Sequence, residues 1–138
     1  MSTKSLFAAS LIGGLVGASG NYLVYFIARA MGAGFTGQFN GPTVEDLPIV
    51  AIGISSVIPS LVAPLVLLGI RKVSARPLQV FVAASAVLAL VSTIPPMMIA
   101  DASLGTRVAL ALMHLVSAAA ILGAIILRSE RKPDGSPA

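Results

Sequence analysis

The sequence has no cysteine and no tryptophan, a single histidine, and charge on only 10% of its residues. Without cysteine, the chain carries no disulfide, thiolate metal site, covalently attached c-type haem or thiol nucleophile. The one histidine is His114, and none of the five acidic residues falls inside an apolar run. That donor set is too sparse for a buried metal centre, so no metal and no cofactor are expected. No nucleophile with a base, paired acids or cofactor motif stands out, and a non-enzymatic protein is the expectation.

What the chain has in abundance is apolar surface. Hydrophobic residues make up 57% of it and the mean hydropathy is +0.97, whereas soluble domains are roughly 45 to 50% apolar and about 25% charged. Four apolar runs, at about residues 6–28, 47–70, 77–99 and 104–127, fill most of the length. Some twenty residues at about 1.5 Å rise match a hydrocarbon core roughly 30 Å thick. Backbone amides in lipid must be satisfied within the segment, and the runs are too long for barrel strands, so each is a helix. The expected fold class is all-α, a four-helix transmembrane bundle running up-down-up-down in one domain over residues 1–128. Residues 129–138, charged and then rich in Pro, Gly and Ser, read as a disordered cytoplasmic tail. No internal repeat supports an inverted-repeat transporter.

A net charge of +4 and a pI near 10.1 would suggest nucleic acid in a soluble protein. Here the charges sit between and beyond the apolar runs, so no nucleic acid partner is expected and topology is the better reading. Lys4, Arg71, Lys72, Arg76, Arg128, Arg131 and Lys132 fall on one side, against Arg29 and Arg107 on the other. The positive-inside rule then puts both termini in the cytoplasm. Gly17-Ala18-Ser19-Gly20 looks like a signal cleavage site, but the apolar stretch continues through Ala28. That exceeds the roughly 7 to 15 residues of a signal core, so an uncleaved first helix is expected.

The turns at Arg71–Arg76 and Asp101–Ser103 make spans two, three and four consecutive antiparallel neighbours. The longer connection, Gly32 to Asp46, is Gly-rich. It reads as a solvated loop with Phe35 and Phe39 at the interface and a helix-start cap at Thr43–Asp46, with substrate gating as the alternative.

Lipid gives helices no hydrophobic reason to associate, so small and polar residues carry the packing. Gly13 and Gly17 form a GxxxG pair, Gly14 and Ala18 a second small pair, and Ser10, Gly14, Gly17 and Asn21 follow helical spacing. This face packs on another helix of the chain or on a second copy. In span two, Ser56, Ser60 and Pro64 recur every four residues beside Pro59. The prolines predict a kink whose freed carbonyls are satisfied by the hydroxyls of Ser55, Ser56 or Ser60; it is structural or lines a ligand cavity. Pro95-Pro96 marks the exit of span three.

Asn21 and His114 lie deep in spans one and four. Asn21, Tyr25 and Arg29 share one helical face and Arg107, His114 and Ser117 another, so a polar track from the outer surface is expected if the faces meet. The candidate intramembrane site is Asn21, Tyr25, Arg107, His114 and Ser117. His114 is either a neutral histidine bonded to a neighbouring helix, or a proton-linked or ligand-binding group. Arg29 and Arg107 read as snorkelling anchors paired with Asp101, Glu45 or Asp46, or as a lure for anionic headgroups.

Three stretches carry a resemblance: Asn21-Tyr22-Leu23-Val24-Tyr25 with Arg29, Ser56-Val57-Ile58-Pro59-Ser60-Leu61, and Met113-His114-Leu115-Val116-Ser117-Ala118. They resemble a bacterial family of small, uncharacterised four-helix membrane proteins, a domain of unknown function sometimes labelled cell-envelope biogenesis. The resemblance implies the fold and a place in the bacterial cytoplasmic (inner) membrane, not a chemistry. Small multidrug exporters fit worse, because span one holds no acid. Fluoride channels fit worse too, because the phenylalanines are dispersed. The expected function is an accessory or envelope-associated component acting through helix–helix contacts. Its partners would be membrane lipid and a homo-oligomer or another membrane protein. The alternative is a small transporter, channel or lipophilic-ligand binder using the Asn/His/Arg site.

Overall fold

A computed structural model of the chain describes residues 1–130. Its elements are α1 (Thr3–Ala30), β1 (Thr36–Gly37), β2 (Glu45–Asp46), α2 (Ile49–Val73), α3 (Pro77–Val91), α4 (Ile94–Met97) and α5 (Leu104–Glu130). Four segments are helical, long and apolar enough to cross a membrane: α1, α2, α3 continued by α4, and α5. They form a bundle in which α1 and α5 run antiparallel. The Arg128 Nε donates to Ser5 Oγ at 2.7 Å at one end, and the Phe35 amide just beyond α1 donates to Thr106 Oγ1 at 3.0 Å at the other.

α1 is the central helix. It packs along most of its length against both α5 and α2, while α2 and α5 touch each other little. Its buried residues, Leu6, Ala9, Ser10, Gly13, Gly14, Gly17, Ala18, Asn21 and Tyr25, recur at three- and four-residue intervals. The glycines divide between two partners. A Cβ on Gly13 would come within 2.7 Å of the Ile121 Cα and one on Gly17 within 3.2 Å of the Ser117 Cα, both on α5. A Cβ on Gly14 would collide with the Ser60 side chain on α2. The GxxxG face is therefore occupied inside the chain. α1 stops because Gly32 adopts φ +93°, which lets the amides of Gly32 and Ala33 reach back to the carbonyls of Arg29 and Ala28.

α2 runs unbroken through Pro59 and Pro64. Pro64 has no amide to give the Ser60 carbonyl, and the Ser10 hydroxyl of α1 donates to that carbonyl at 2.6 Å instead. The expectation that α2 serines would satisfy the freed carbonyls is corrected here. Ser55 and Ser56 donate to the Ile52 carbonyl and Ser60 to that of Val57, each within a helical turn. Their short side chains reach the carbonyls three or four residues back, so the freed one needs a donor from another helix.

Three further expectations change. Span three is not one helix over 77–99: it breaks at Ser92-Thr93 and resumes as α4, whose first turn holds Pro95 and Pro96. No cap forms at Thr43–Asp46. Glu45–Asp46 pairs antiparallel with Thr36–Gly37, and α2 begins after Pro48 without a side-chain cap bond. α5 continues through Ser129 and Glu130, which the sequence assigns to a tail, and the rest of that expected tail, 131–138, lies outside the described residues. α3 is held loosely; Phe81 is its one buried residue.

The Ser10 to Ser60 bond predicts a non-additive pair. Ser10→Ala should cost about 1 kcal/mol in the native chain and close to nothing in a Pro64→Ala background, where a restored amide reaches the Ser60 carbonyl. Reversible unfolding in mixed micelles measures both costs, and equal costs would refute the pairing.

Candidate functional site

Two apolar cores lie at opposite ends of the bundle. Leu6, Leu67, Phe81, Ile121 and Ile125 form one; Tyr25, Ala33, Phe35, Ile52, Ala109 and Met113 form the other. Between them the three inner helices meet through polar groups. Asn21 Nδ2 donates to Ser56 Oγ and to Ser117 Oγ, each at 2.8 Å. Ser117 Oγ donates to Ser56 Oγ at 3.1 Å, and Ser56 passes its own proton to the Ile52 carbonyl at 3.2 Å. All three residues are buried, and the Asn21 Oδ1 has no donor. In a low-dielectric surround, such a chain of bonds fixes the rotation of each helix about its own axis.

Beside this layer a cleft of about 970 Å³ opens between α2, α3 and α5. It exists because α1 fills the inner faces of α2 and α5, leaving α3 to lean across a gap. The walls are apolar side chains such as Val62 and Val66 of α2, Leu88 of α3, and Leu110 and Leu122 of α5. From Ala51 to Val66 the wall on α2 spans about 22 Å, more than half of a hydrocarbon core roughly 30 Å thick. Phe81 lines one end. Gln38, Phe39 and Leu47 of the first connection line the other.

His114 lines this cleft, exposed, with Nδ1 2.8 Å from the Leu110 carbonyl. Asn21 and Ser117 also line it. His114 and Asn21 therefore share one cavity without bonding to each other. Tyr25 and Arg107 stand elsewhere. Tyr25 is buried against Phe35, with ring centroids 4.5 Å apart, and its hydroxyl accepts from Arg29 Nη1 at 3.3 Å. Arg107 Nη1 donates to the Met97 carbonyl at 3.4 Å. Of the expected track, Asn21 and Ser117 are bonded and line the cleft with His114, whereas Tyr25, Arg29 and Arg107 do not line it. The acids take amide partners where arginines were expected: Asp101 accepts from Gln38 at 2.7 Å and Glu45 from Asn40 at 2.6 Å.

The first connection is solvated only in part: Asn40 to Val44 are exposed, whereas Ala33, Phe35 and Gly37 are buried. Phe35 is only 1% exposed and adopts φ +53°, a backbone region that costs an aromatic residue roughly 1 kcal/mol or more. Three contacts hold it: its amide to Thr106 Oγ1, its carbonyl to the Leu47 amide at 2.9 Å, and its ring on Tyr25. The Gln38 amide adds a bond to the Ala100 carbonyl at 3.0 Å. Sequence reasoning missed Thr106, whose amide is capped by Ser103 Oγ at 3.1 Å. The available signal was Ser103 three residues before Thr106, the spacing of an N-cap.

The polar layer predicts an ordered pair of costs. Asn21→Ala, which breaks two bonds and opens a void, should destabilise the bundle by about 1 to 3 kcal/mol. Ser117→Ala should cost less, because Ser56 keeps both Asn21 and Ile52. Micelle unfolding giving the reverse order would show that the layer is not organised by Asn21.

Comparison with known proteins bears on the family rather than the chemistry. No match is found among curated proteins or solved structures. A family model described as "Family of unknown function (DUF6069)" matches residues 1–132. With nearly the whole chain matched, and four helices apolar enough to span a membrane, the protein belongs to that family of unknown function.

Proposed function

We propose that the protein binds a lipophilic molecule within a membrane, in the cleft between α2, α3 and α5, and does so without catalysing a reaction on it. The cleft itself carries the reading: an elongated apolar cavity of about 970 Å³ with a few polar groups on its wall. Ligand sites typically have about 300 to 1,000 Å³ and this mixture of lining. The rival reading, an accessory component working through helix contacts, loses its first support because Gly13, Gly14 and Gly17 pack within the chain. It keeps one observation, the nearly unburied α3.

One experiment separates the two. The protein is released from lipid nanodiscs into native mass spectrometry, as wild type and as Ala89→Phe with Ala118→Phe, which fill the cleft from α3 and α5. Wild type should retain an apolar small molecule or lipid that the filled variant loses at least about tenfold, roughly 1.4 kcal/mol. A wild-type spectrum dominated by bare dimers would favour helix-contact function instead.

The membrane proposed is the bacterial cytoplasmic one, with both termini inside, supported by the charge bias of Lys4, Arg71, Lys72, Arg76 and Arg128 over Arg29 and Arg107. Alkaline phosphatase joined to the C-terminus should stay inactive, and joined within residues 40–42 should be active; the opposite pattern would invert the orientation.

A further inference from the structure

The wall of the cleft changes character along its length. On α5, His114 and Ser117 stand nearer the first connection, and Ile121 and Leu122 follow them toward the other end. On α2, Ser55 comes first and Val62 and Val66 after it; on α3, which runs the opposite way, Phe81 comes first and Ser85 and Ser92 after it. Gln38 of the first connection adds an amide above them. Beyond Ser85 and Ser117 the wall is hydrocarbon alone. Phe81, 2% exposed, packs there with Leu6, Leu67, Ile121 and Ile125, a cluster drawn from all four spans that closes the bundle. The polar part offers both kinds of hydrogen-bonding group. Ser55 and Ser92 have given their protons to the Ile52 and Ala89 carbonyls and keep lone pairs. Gln38 Nε2 gives one proton to Asp101 and keeps a second, and the Ser85 hydroxyl has no partner among the described residues. Among those residues, no Asp, Glu, Lys or Arg lines the cleft.

Resting on the lipophile-binding reading, we infer that the occupant is an uncharged amphiphile of the monoacylglycerol type, held with its head toward the first connection and its chain end against Phe81. A hydroxyl or ester placed in hydrocarbon without a partner costs several kcal/mol on the scale of transfer to cyclohexane. In this orientation the glycerol hydroxyls and the ester carbonyl meet a wall that both donates and accepts, and the chain meets Val66, Phe81 and Leu122. The reverse orientation sets the head against hydrocarbon and covers Ser85 and Gln38 with methylenes, so both ends lose. A bare alkane leaves the same two donors without a partner. A carboxylate or ammonium head brings a charge to a wall that carries no Asp, Glu, Lys or Arg to balance it. The gradient along the cleft therefore sets the direction of the ligand as well as its class.

The test uses the full chain in phosphatidylcholine nanodiscs, photolabelled with two monopalmitoylglycerols, one bearing a diazirine beside the ester and the other near the free end of the chain. Unlabelled monopalmitoylglycerol, hexadecane and palmitic acid serve as competitors. The ester-side probe should label Ile99 and Leu110 and the chain-end probe Val66 and Leu122, and unlabelled monopalmitoylglycerol should displace both. It should compete about tenfold better than hexadecane or palmitic acid, about 1.4 kcal/mol. Gln38→Leu with Ser85→Ala should bring it down to the level of hexadecane, whose own unchanged competition would show the cleft intact. Reversed or identical maps from the two probes, or equal competition by hexadecane in the wild type, would overturn the orientation while leaving lipophile binding in place. Palmitic acid as the best competitor would overturn the uncharged head. Displaceable label absent from the cleft would remove both proposals.

Discussion

Hydrocarbon offers a polypeptide no hydrogen bonds, and the arrangement of the bundle follows from how α1 supplies the missing ones. Pro64 leaves the Ser60 carbonyl of α2 without its amide, and the Ser10 hydroxyl reaches it. One helical face further on, the two amide protons of Asn21 tie α2 and α5 together through Ser56 and Ser117. These bonds are short because Gly13, Gly14 and Gly17 let three backbones come close, which is also what makes dispersion contacts count where burial from water does not. A single helix thus provides both the proximity and the polar pairing.

The same economy creates the cavity. Because α1 occupies the facing sides of α2 and α5, those two helices scarcely touch, and α3 has no glycine with which to approach either. α3 rests on Phe81 at one end and, through its break and α4, on the opposite end of α5. What lies between is the cleft. The first connection closes the top, with Phe35 set in an unfavourable backbone region by the bonds it makes on both sides. The cleft is therefore a consequence of how the core is packed, not an addition to it.

The four helices were legible because length and apolar content are sufficient signals in lipid. The identity of each partner was not. The glycine spacing says that something approaches α1, but only the geometry assigns Gly13 and Gly17 to α5 and Gly14 to α2. Pro64 announces a freed carbonyl without saying that Ser10, fifty residues earlier, supplies the donor. For His114, depth could be counted from the helix start; its direction, into the cleft beside Asn21, could not. Phe35 reads from the sequence as an interfacial residue, because nothing in a glycine-rich connection signals the Thr106 and Leu47 bonds that hold it in the core. Thr106 passed unnoticed because a threonine in an apolar helix looks like filler until an amide is found facing it.

The pairing of α1 with α5 also bears on assembly. These helices are separated in the chain by α2, α3 and α4, so α1 enters the bilayer before its principal partner has been synthesised. Until α5 follows, Gly13 and Gly17 have no helix against them, and Asn21 has only Ser56 to receive its protons. The Ser10 bond to Ser60 and the packing of Gly14 on Ser60 join that Asn–Ser contact in holding α1 on α2, while the side that receives α5 still lacks its partner. α1 is consequently held on both of its packed sides only once α5 is in place. For as long as synthesis of the later helices takes, the nascent chain presents a small-residue surface that another membrane helix is able to occupy.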